Sequence, residues 1–280
     1  MQDLLHRYIF EDLDARGELV QLNTTFNEII KGHDYPTPVK ELLGELLAAT
    51  CLLTATLKFE GDIAVQLQGD GPVKYAVING DNEQNMRGIA RLQREIKGTS
   101  IKELIGKGQM VITITPKKGE RYQGIVPLDA DTLAKCLEQY FTQSEQLKTR
   151  LWFATNITED AAKVSGLFLQ VLPVDKEKAE QDFIHLEALS NTIKDEELLT
   201  LDATTVLTRL YHEDNPKVFE PQAVNYKCTC TRDKTAGALM NVGLESLLEE
   251  IASHGDIQIN CHYCLQNYIF DESQVRALFH

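Results

Sequence analysis

Apolar residues recur at every second position in several segments of the first ~170 residues, which is the pattern of a β-strand with one buried face. Residues 62–68 place Ile63, Val65 and Leu67 on one face, and residues 110–115 repeat this alternation. Shorter runs rich in apolar residues predict further strands at residues 74–78, 122–126 and 167–172. Because glycine-rich turns separate these runs, we expect a substantial sheet in this part of the chain.

Two other segments have the spacing of a helix. Thr37 followed by Pro38 is the N-cap and first-position proline that begin a helix, and apolar residues then recur every three to four positions. Residues 133–144 predict a second helix by the same spacing. The mixture predicts the α+β class, with an N-terminal mixed sheet-and-helix domain over residues 1–173.

The next segment, residues 174–215, combines an apolar stripe with a strong negative charge. The stripe consists of Phe183, Leu186, Leu189 and Ile193, at the spacing of an amphipathic helix. The segment holds 11 acidic and 4 basic residues, so it carries −7 of the formal net charge of −14. The charge alone is typical of a solvated connector, whereas the stripe needs a surface such as the sheet of the first domain. We therefore predict an acidic helical linker.

Residues 216–280 predict a small third domain in which four cysteines form two close pairs. The pattern consists of a strand ending in Cys228-Thr-Cys230, a helical stretch, and a strand that leads into Cys261-His-Tyr-Cys264. We expect residues 265–270 to continue as strand and a short helix to close the domain.

The two cysteine pairs indicate a metal site. Zinc in structural sites takes four tetrahedral ligands, and Cys228, Cys230, Cys261 and Cys264 can supply four thiolates. A domain of about 65 residues with few aromatic residues is barely stable without a metal or a disulfide. The sequence therefore predicts one zinc ion per chain, bound by these four cysteines.

Three other interpretations of the cysteines stay open on the residues alone. His262 could replace one sulfur ligand, and Cys261 with Cys264 could form a thioredoxin-like redox pair. A zinc ribbon that binds nucleic acid would favour a basic surface, whereas residues 216–280 hold 5 basic and 8 acidic residues.

Cys51 and Cys136 lie inside apolar helical patterns, so we expect both to be buried packing residues.

Composition and charge exclude several classes of function. A formal charge of −14 argues against nucleic acid as a partner. The N-terminus lacks a basic segment followed by an apolar run, and the most apolar stretch, residues 46–57, is too short to cross a membrane. We therefore expect a cytoplasmic protein without a membrane partner. Since neither a nucleotide-binding loop nor a nucleophile–base motif is present, we expect no enzymatic activity.

The cysteine pattern and several further motifs resemble the redox-regulated 33 kDa chaperonin family, the oxidation-activated holdases of the bacterial cytoplasm. The resemblance spans the whole chain. Its motifs are Arg16-Gly-Glu-Leu-Val20, His33-Asp-Tyr-Pro36, Gln66-Leu-Gln-Gly-Asp-Gly-Pro72, Met86-Arg-Gly88, Tyr122-Gln-Gly124, Ser144-Glu-Gln146, Leu169-Gln170 and Leu210-Tyr-His-Glu213.

The resemblance implies an ATP-independent chaperone with a redox switch. The reduced, zinc-bound form would be an inactive monomer, and oxidation would form the disulfides Cys228–Cys230 and Cys261–Cys264 and release zinc. The linker would then unfold, dimers would form, and unfolding client proteins would bind before transfer to ATP-dependent chaperones. The apolar stripe from Phe183 to Ile193 is the candidate client-binding surface.

One departure from the family pattern falls at the metal site. Leu265 stands where the family usually has glycine, so we expect the turn after Cys264 to differ in shape. The rival functions are a zinc-stabilised interaction module that never switches, and a thiol oxidoreductase.

Overall fold

The computed structural model describes residues 2–56, 59–158, 161–172 and 176–279. The chain forms two compact units, Met1–Tyr226 and Lys227–His280. The mixture of sheets and helices in both units confirms the α+β class. No helix in the described part of the chain is both long and apolar enough to span a membrane.

The first unit contains strands β1 to β12 and helices α1 to α7. The strands are β1 Leu4–Phe10, β2 Ala15–Leu22, β3 Gly61–Gly69, β4 Val73–Asp81, β5 Asn85–Leu92, β6 Gly108–Pro116, β7 Tyr122–Pro127, β8 Thr149–Ile157, β9 Ala162–Val171, β10 Lys217–Val218, β11 Gln222–Ala223 and β12 Asn225–Tyr226. The helices are α1 Thr24–Ile30, α2 Thr37–Thr56, α3 Ile101–Ile105, α4 Leu133–Tyr140, α5 Lys176–Ser190, α6 Asp195–Thr200 and α7 Ala203–Tyr211.

The strands of the first unit form two sheets. The first has the order β10-β1-β2-β9-β8, with β11 also paired to β1, and the second has the order β12-β5-β4-β3-β6-β7. Gly17 of β2 lies opposite Tyr8 of β1. A Cβ atom at Gly17 would lie 2.1 Å from Cζ of Tyr8, so glycine is required at this position for the tyrosine ring to pack.

Helix α2 is the centre of the main hydrophobic core. It contacts β2, β8 and β9 of the first sheet as well as β3, β4 and β5 of the second. A helix between two sheets has no solvent-facing side, and most residues of α2 are accordingly buried. The fully buried ones include Leu43, Leu46, Leu47 and Cys51.

The helix predicted at residues 133–144 is confirmed, but its last turn is wider than an α-helical turn. Helix α4 ends at Tyr140, and Phe141–Glu145 form one turn of π-helix. The wider turn leaves Phe141 buried, with its ring 5.9 Å from that of Phe168 in a T-shaped arrangement. The backbone hydrogen bonds of a π-turn span five residues, and those of an α-helix span four. A difference this small, over a single turn, is not visible in the spacing of apolar residues.

The acidic linker packs on the first sheet, on the face opposite to α2. Its helices α5, α6 and α7 form a second core with that face. The core joins Tyr8, Phe10, Leu19, Leu167 and Leu169 of the sheet to Phe183, Leu186, Leu198, Val206, Leu207, Leu210 and Tyr211 of the linker, with Leu189 and Ile193 partly buried at its edge. The predicted start of the linker at residue 174 lies outside the described residues.

Polar contacts surround this second core. Gln21 donates hydrogen bonds to the backbone carbonyls of Leu198, at 2.9 Å, and Leu201, at 2.7 Å. Trp152 Nε1 donates to Oδ1 of Asn191 at 3.1 Å. Ion pairs join Lys148 to Glu180 and Arg150 to Glu187. Exposed or half-exposed ion pairs contribute little to stability, so the docked linker depends mainly on its apolar contacts.

The chain returns to the first unit after the linker. Strands β10 and β11 pair with β1, and β12 pairs in parallel with β5. The second compact unit therefore begins at Lys227, and the predicted boundary at residue 216 is wrong. Strands of two residues have too little periodicity to be recognised in a sequence.

The second unit is small and has a core of its own. It consists of α8 Arg232–Met240, α9 Leu244–His254, β13 Ile257–Asn260, β14 Asn267–Phe270 and α10 Glu272–Ala277. Its buried apolar residues are Ala236, Leu239, Leu247, Ile251, Ile257, Phe270 and Val275. A core of this size supplies little stability, which leaves room for a metal to contribute.

Candidate metal centre

The four cysteines of the second unit come from two loops. Cys228 and Cys230 lie between β12 and α8, in a segment that is not a strand, so the prediction of a strand ending in this pair is wrong. Thr231 follows directly as the N-cap of α8, with its hydroxyl accepting the N–H of Lys234. Cys261 and Cys264 lie in the turn between β13 and β14.

The two loops bring the four sulfur atoms together. All four lie within 4.8 Å of one another. The distance between the sulfurs of Cys228 and Cys261 is 3.7 Å, and that between the sulfurs of Cys230 and Cys264 is 3.4 Å. Tetrahedral ligands at about 2.3 Å from a zinc ion are about 3.8 Å apart, so this set of sulfurs could hold a metal ion.

His262 is not part of this cluster. Its side chain is exposed, and the group of described residues that could hold a metal consists of the four cysteines. The interpretation with one imidazole ligand in place of a sulfur therefore has no support in the geometry.

The turn around the second cysteine pair keeps a left-handed residue. Leu265 has φ of 59°, although a β-carbon in this region costs roughly 1–2 kcal/mol. Its N–H donates to the carbonyl oxygen of Cys261 at 2.9 Å, and the N–H of Cys261 donates to the carbonyl of Gln266 at 2.9 Å. Leu265 therefore adopts the left-handed conformation that glycine takes most easily. Strand β14 begins only at Asn267, since this turn occupies the residues before it.

Without a cation, the surroundings favour the protonated form of the Cys264 thiol over the thiolate. Burial away from water raises the pKa of the Cys264 thiol to about 12, and hydrogen bonds with the neighbouring thiols act in the same direction. The hydroxyl of Tyr268 donates to the sulfur of Cys230 at 3.2 Å, and this hydrogen bond raises the tyrosine pKa to about 12. A divalent cation reverses the balance, because it stabilises the thiolate form of every sulfur that it contacts.

Tyr268 was not found by sequence analysis. It lies four positions after Cys264, in the middle of β14, where it is opposite Ile259 of β13. Its contact with Cys230 depends on the register of these two strands, and no sequence motif encodes that register.

The remaining two cysteines belong to the first unit and lie in the core around α2. Cys51 is fully buried and Cys136 is buried as well, as predicted. Burial raises the pKa of both thiols, so neither forms a thiolate readily near neutral pH.

Replacing Cys51 or Cys136 with alanine should leave the oxidation of the other four thiols unchanged. Each change removes one buried sulfur, so we expect a destabilisation of about 1 kcal/mol. The measurement is the rate of thiol loss with hydrogen peroxide, resolved by peptide mapping. A loss of oxidation at the four-cysteine centre in a folded variant would show that the redox centre includes a buried cysteine.

The predicted client-binding stripe lies in the docked linker. Phe183 and Leu186 are buried against the first sheet, whereas Leu189 and Ile193 are partly buried. In this conformation the stripe presents little apolar surface to another protein.

These features define a protein of two units. The larger α+β unit carries a docked helical linker, and the smaller unit carries four thiols that could hold a metal ion. The family described as Hsp33 protein matches residues 3–271, and the chain belongs to this family. This confirms the resemblance found in the sequence.

Individual relatives agree with this assignment. The chain is 71% identical over 278 residues to the 33 kDa chaperonin of Pseudoalteromonas translucida, with 99% of each chain covered. It is 54% identical to that of Aeromonas salmonicida, over 99% of this chain and 95% of the relative. The crystal structure of the 33 kDa chaperonin of Thermotoga maritima has the same fold, with a TM-score of 0.84 at 23% identity over 98% of this chain and 97% of that one. Proteins of this family are chaperones, which confirms the prediction that the chain is not an enzyme.

Proposed function

We propose that this chain is an ATP-independent chaperone that oxidation activates. The observation that carries the proposal is the cluster of four thiols, within 4.8 Å of one another, in a member of the Hsp33 family. The proposed division of labour is a client-binding and dimerisation domain at residues 1–173, a linker at 174–215 and a redox-switch domain in the second compact unit, Lys227–His280.

The proposed cofactor is one zinc ion in the reduced state, held by Cys228, Cys230, Cys261 and Cys264. Four sulfur donors are a soft ligand set that favours zinc over calcium or magnesium. When bound, zinc would keep all four sulfurs as thiolates, which are the form that oxidants attack. The donor chemistry and the spacing of the sulfurs support this proposal.

Oxidation would convert the four thiolates into two disulfides. In each pair, two sulfurs give up two electrons to one peroxide molecule, whose O–O bond breaks to form two waters with two protons from solvent. We propose the pairs Cys228–Cys230 and Cys261–Cys264. Disulfide sulfurs no longer act as thiolate ligands, so the site would lose its metal. The sulfur of Cys228 also lies close to that of Cys261, and the sulfur of Cys230 lies close to that of Cys264. Disulfides within these two couples are therefore the alternative pairing, and peptide mapping of the oxidised protein distinguishes the two pairings.

Loss of the metal would then release the linker. The stripe of Phe183, Leu186, Leu189 and Ile193 would become available to unfolded or partly folded client proteins, and oxidised chains would pair as homodimers. The charge of −7 on residues 174–215 opposes refolding of the released segment. We propose a cytoplasmic location and transfer of clients to ATP-dependent chaperones, with no nucleic acid and no membrane as partner.

The direct test is the suppression of aggregation by the same protein in two redox states. A thermally unfolding client enzyme is followed by light scattering, without ATP, in the presence of either reduced, zinc-loaded protein or protein oxidised with peroxide at elevated temperature. We expect the oxidised protein to suppress scattering at a stoichiometric ratio and the reduced protein to have little effect.

Two results would contradict the proposal. Equal suppression by both forms would favour the constitutive zinc-stabilised module. Catalytic turnover of a disulfide substrate such as insulin would favour the thiol oxidoreductase.

A further inference from the structure

Tyr268 links the core of the second unit to the four-cysteine centre. Its ring packs against the small core of the second unit, and its hydroxyl donates a hydrogen bond to the sulfur of Cys230 at 3.2 Å. The side chain is held in place by strand β14, in which Tyr268 lies opposite Ile259. The hydroxyl is therefore positioned by packing of the ring and not by the metal site alone.

A hydrogen bond to a thiolate changes the reactivity of the sulfur. The donor stabilises negative charge on sulfur, and this charge is lost when the sulfur attacks an oxidant. The hydrogen bond is therefore stronger in the reactant than in the transition state. This difference raises the activation barrier and slows the attack. Donors to metal-bound sulfurs also tune the properties of the centre in other proteins.

We propose that Tyr268 restrains the oxidation of Cys230 and thereby sets the oxidant concentration at which the centre responds. Tyr268 is a positioning residue here, because it acts through Cys230 and does not itself react. The proposal rests on the proposed redox switch for its biological meaning, but its chemistry concerns only the thiol.

The step that Tyr268 restrains can be written in full for hydrogen peroxide. The Cys230 thiolate attacks one peroxide oxygen, an S–O bond forms, the O–O bond breaks, and hydroxide leaves and takes a proton from the buffer. A second thiolate, Cys228 in the pairing proposed above, then attacks the sulfur of the resulting sulfenic acid. An S–S bond forms, the S–O bond breaks, and a second hydroxide leaves and takes a second proton from the buffer. Two sulfurs have lost two electrons, and one peroxide has become two waters.

The test is Tyr268→Phe, which removes the hydroxyl and retains the ring. Zinc-loaded, reduced protein is mixed with excess peroxide, quenched at short times with an alkylating reagent, and mapped by mass spectrometry for each cysteine. We expect Cys230 to oxidise roughly threefold to tenfold faster than in the parent protein. In the parent protein the hydrogen bond to the thiolate weakens on the way to the transition state, and this raises the activation barrier. The variant has no such bond, so its barrier is lower.

Two accompanying measurements separate this effect from a structural one. The thermal midpoint of the reduced, zinc-loaded variant and its zinc content should match those of the parent protein, since the ring remains. Tyr122→Phe is the matched control, because it removes a hydroxyl bonded to Tyr140 in the first unit and should not change the rate at Cys230. Site-specific 3-fluorotyrosine at position 268, a stronger hydrogen-bond donor, should slow the oxidation of Cys230.

An unchanged or slower rate at Cys230 in a folded, zinc-loaded Tyr268→Phe variant would overturn the proposal. If Tyr268→Phe does not fold, an unchanged rate with fluorotyrosine would overturn it instead. These rates do not depend on client binding, so they remain decisive even if the oxidised protein has no chaperone activity.

Discussion

Removal of zinc from the reduced protein is expected to unfold Lys227–His280 and to leave the first unit folded. The second unit has seven buried apolar residues in its core, which supply little stability by themselves. Structural zinc contributes an apparent ~10–16 kcal/mol in zinc-finger peptides at neutral pH. Hydrogen exchange, measured with a chelator and a thiol reductant present, should show protection lost in α9, β13 and β14 and retained in α2.

Matched variants test whether loss of the metal, and not loss of another side chain, unfolds this unit. Replacing both Cys228 and Cys261 with serine should abolish zinc binding and unfold the same residues. His262→Ala removes an exposed side chain between two of the ligands and should retain one zinc per chain. Protection that persists across residues 244–270 after complete removal of zinc would show that the metal does not hold the unit together.

Phe183→Ala is expected to undock the linker in the reduced protein. The Phe183 ring is 1% exposed in the core between α5 and the first sheet, and truncation of a buried phenylalanine costs about 3–5 kcal/mol. Because the variant lacks this contact, we expect it to suppress client aggregation before any oxidation. Ile184→Ala, on the same helix but with a side chain 55% exposed, is the control and should behave like the parent protein.

The single tryptophan of the chain reports on this transition. Trp152 lies at the edge of the linker core and is bonded to Asn191 in the segment after α5. Undocking should expose its indole ring to water and shift its emission to longer wavelength in Phe183→Ala but not in Ile184→Ala. Undocking without client binding in the reduced variant would show that the released linker is not sufficient for chaperone activity.

Strands β3 and β6 were predictable from alternation because each has one buried face. In β3, Ile63, Val65 and Leu67 are buried and the residues between them are not, so alternation is visible. Strand β1 was missed because it contributes to two cores. Leu5 packs with α2 whereas Tyr8 and Phe10 pack with the linker, so apolar residues occur on both faces.

The same reasoning applies to the metal centre. The two cysteine pairs were visible because each pair is local in the chain, and a zinc site requires only that two such pairs meet. The hydroxyl of Tyr268 was not predictable, because its contact with Cys230 joins residues far apart in the sequence. The packing of the linker on the first sheet was predicted in outline from its stripe, whereas the hydrogen bonds of Gln21 to α6 and to Leu201 follow from the fold alone.

The return of the chain to β1 and β5 after the linker limits how far an undocked linker can extend. While β9 and β10 hold its two ends, the released segment is a closed loop, so it reaches at most half its contour length from the surface. Detachment of β10, β11 and β12 would convert the loop into a tether that is anchored at one end, with roughly twice the reach. In the proposed client-binding role, the first state would reach client segments close to the sheet, and the second would reach a volume roughly eight times larger. If the released linker binds clients as proposed, the short strands at residues 217–226 would therefore determine how far from the first unit the protein can bind them.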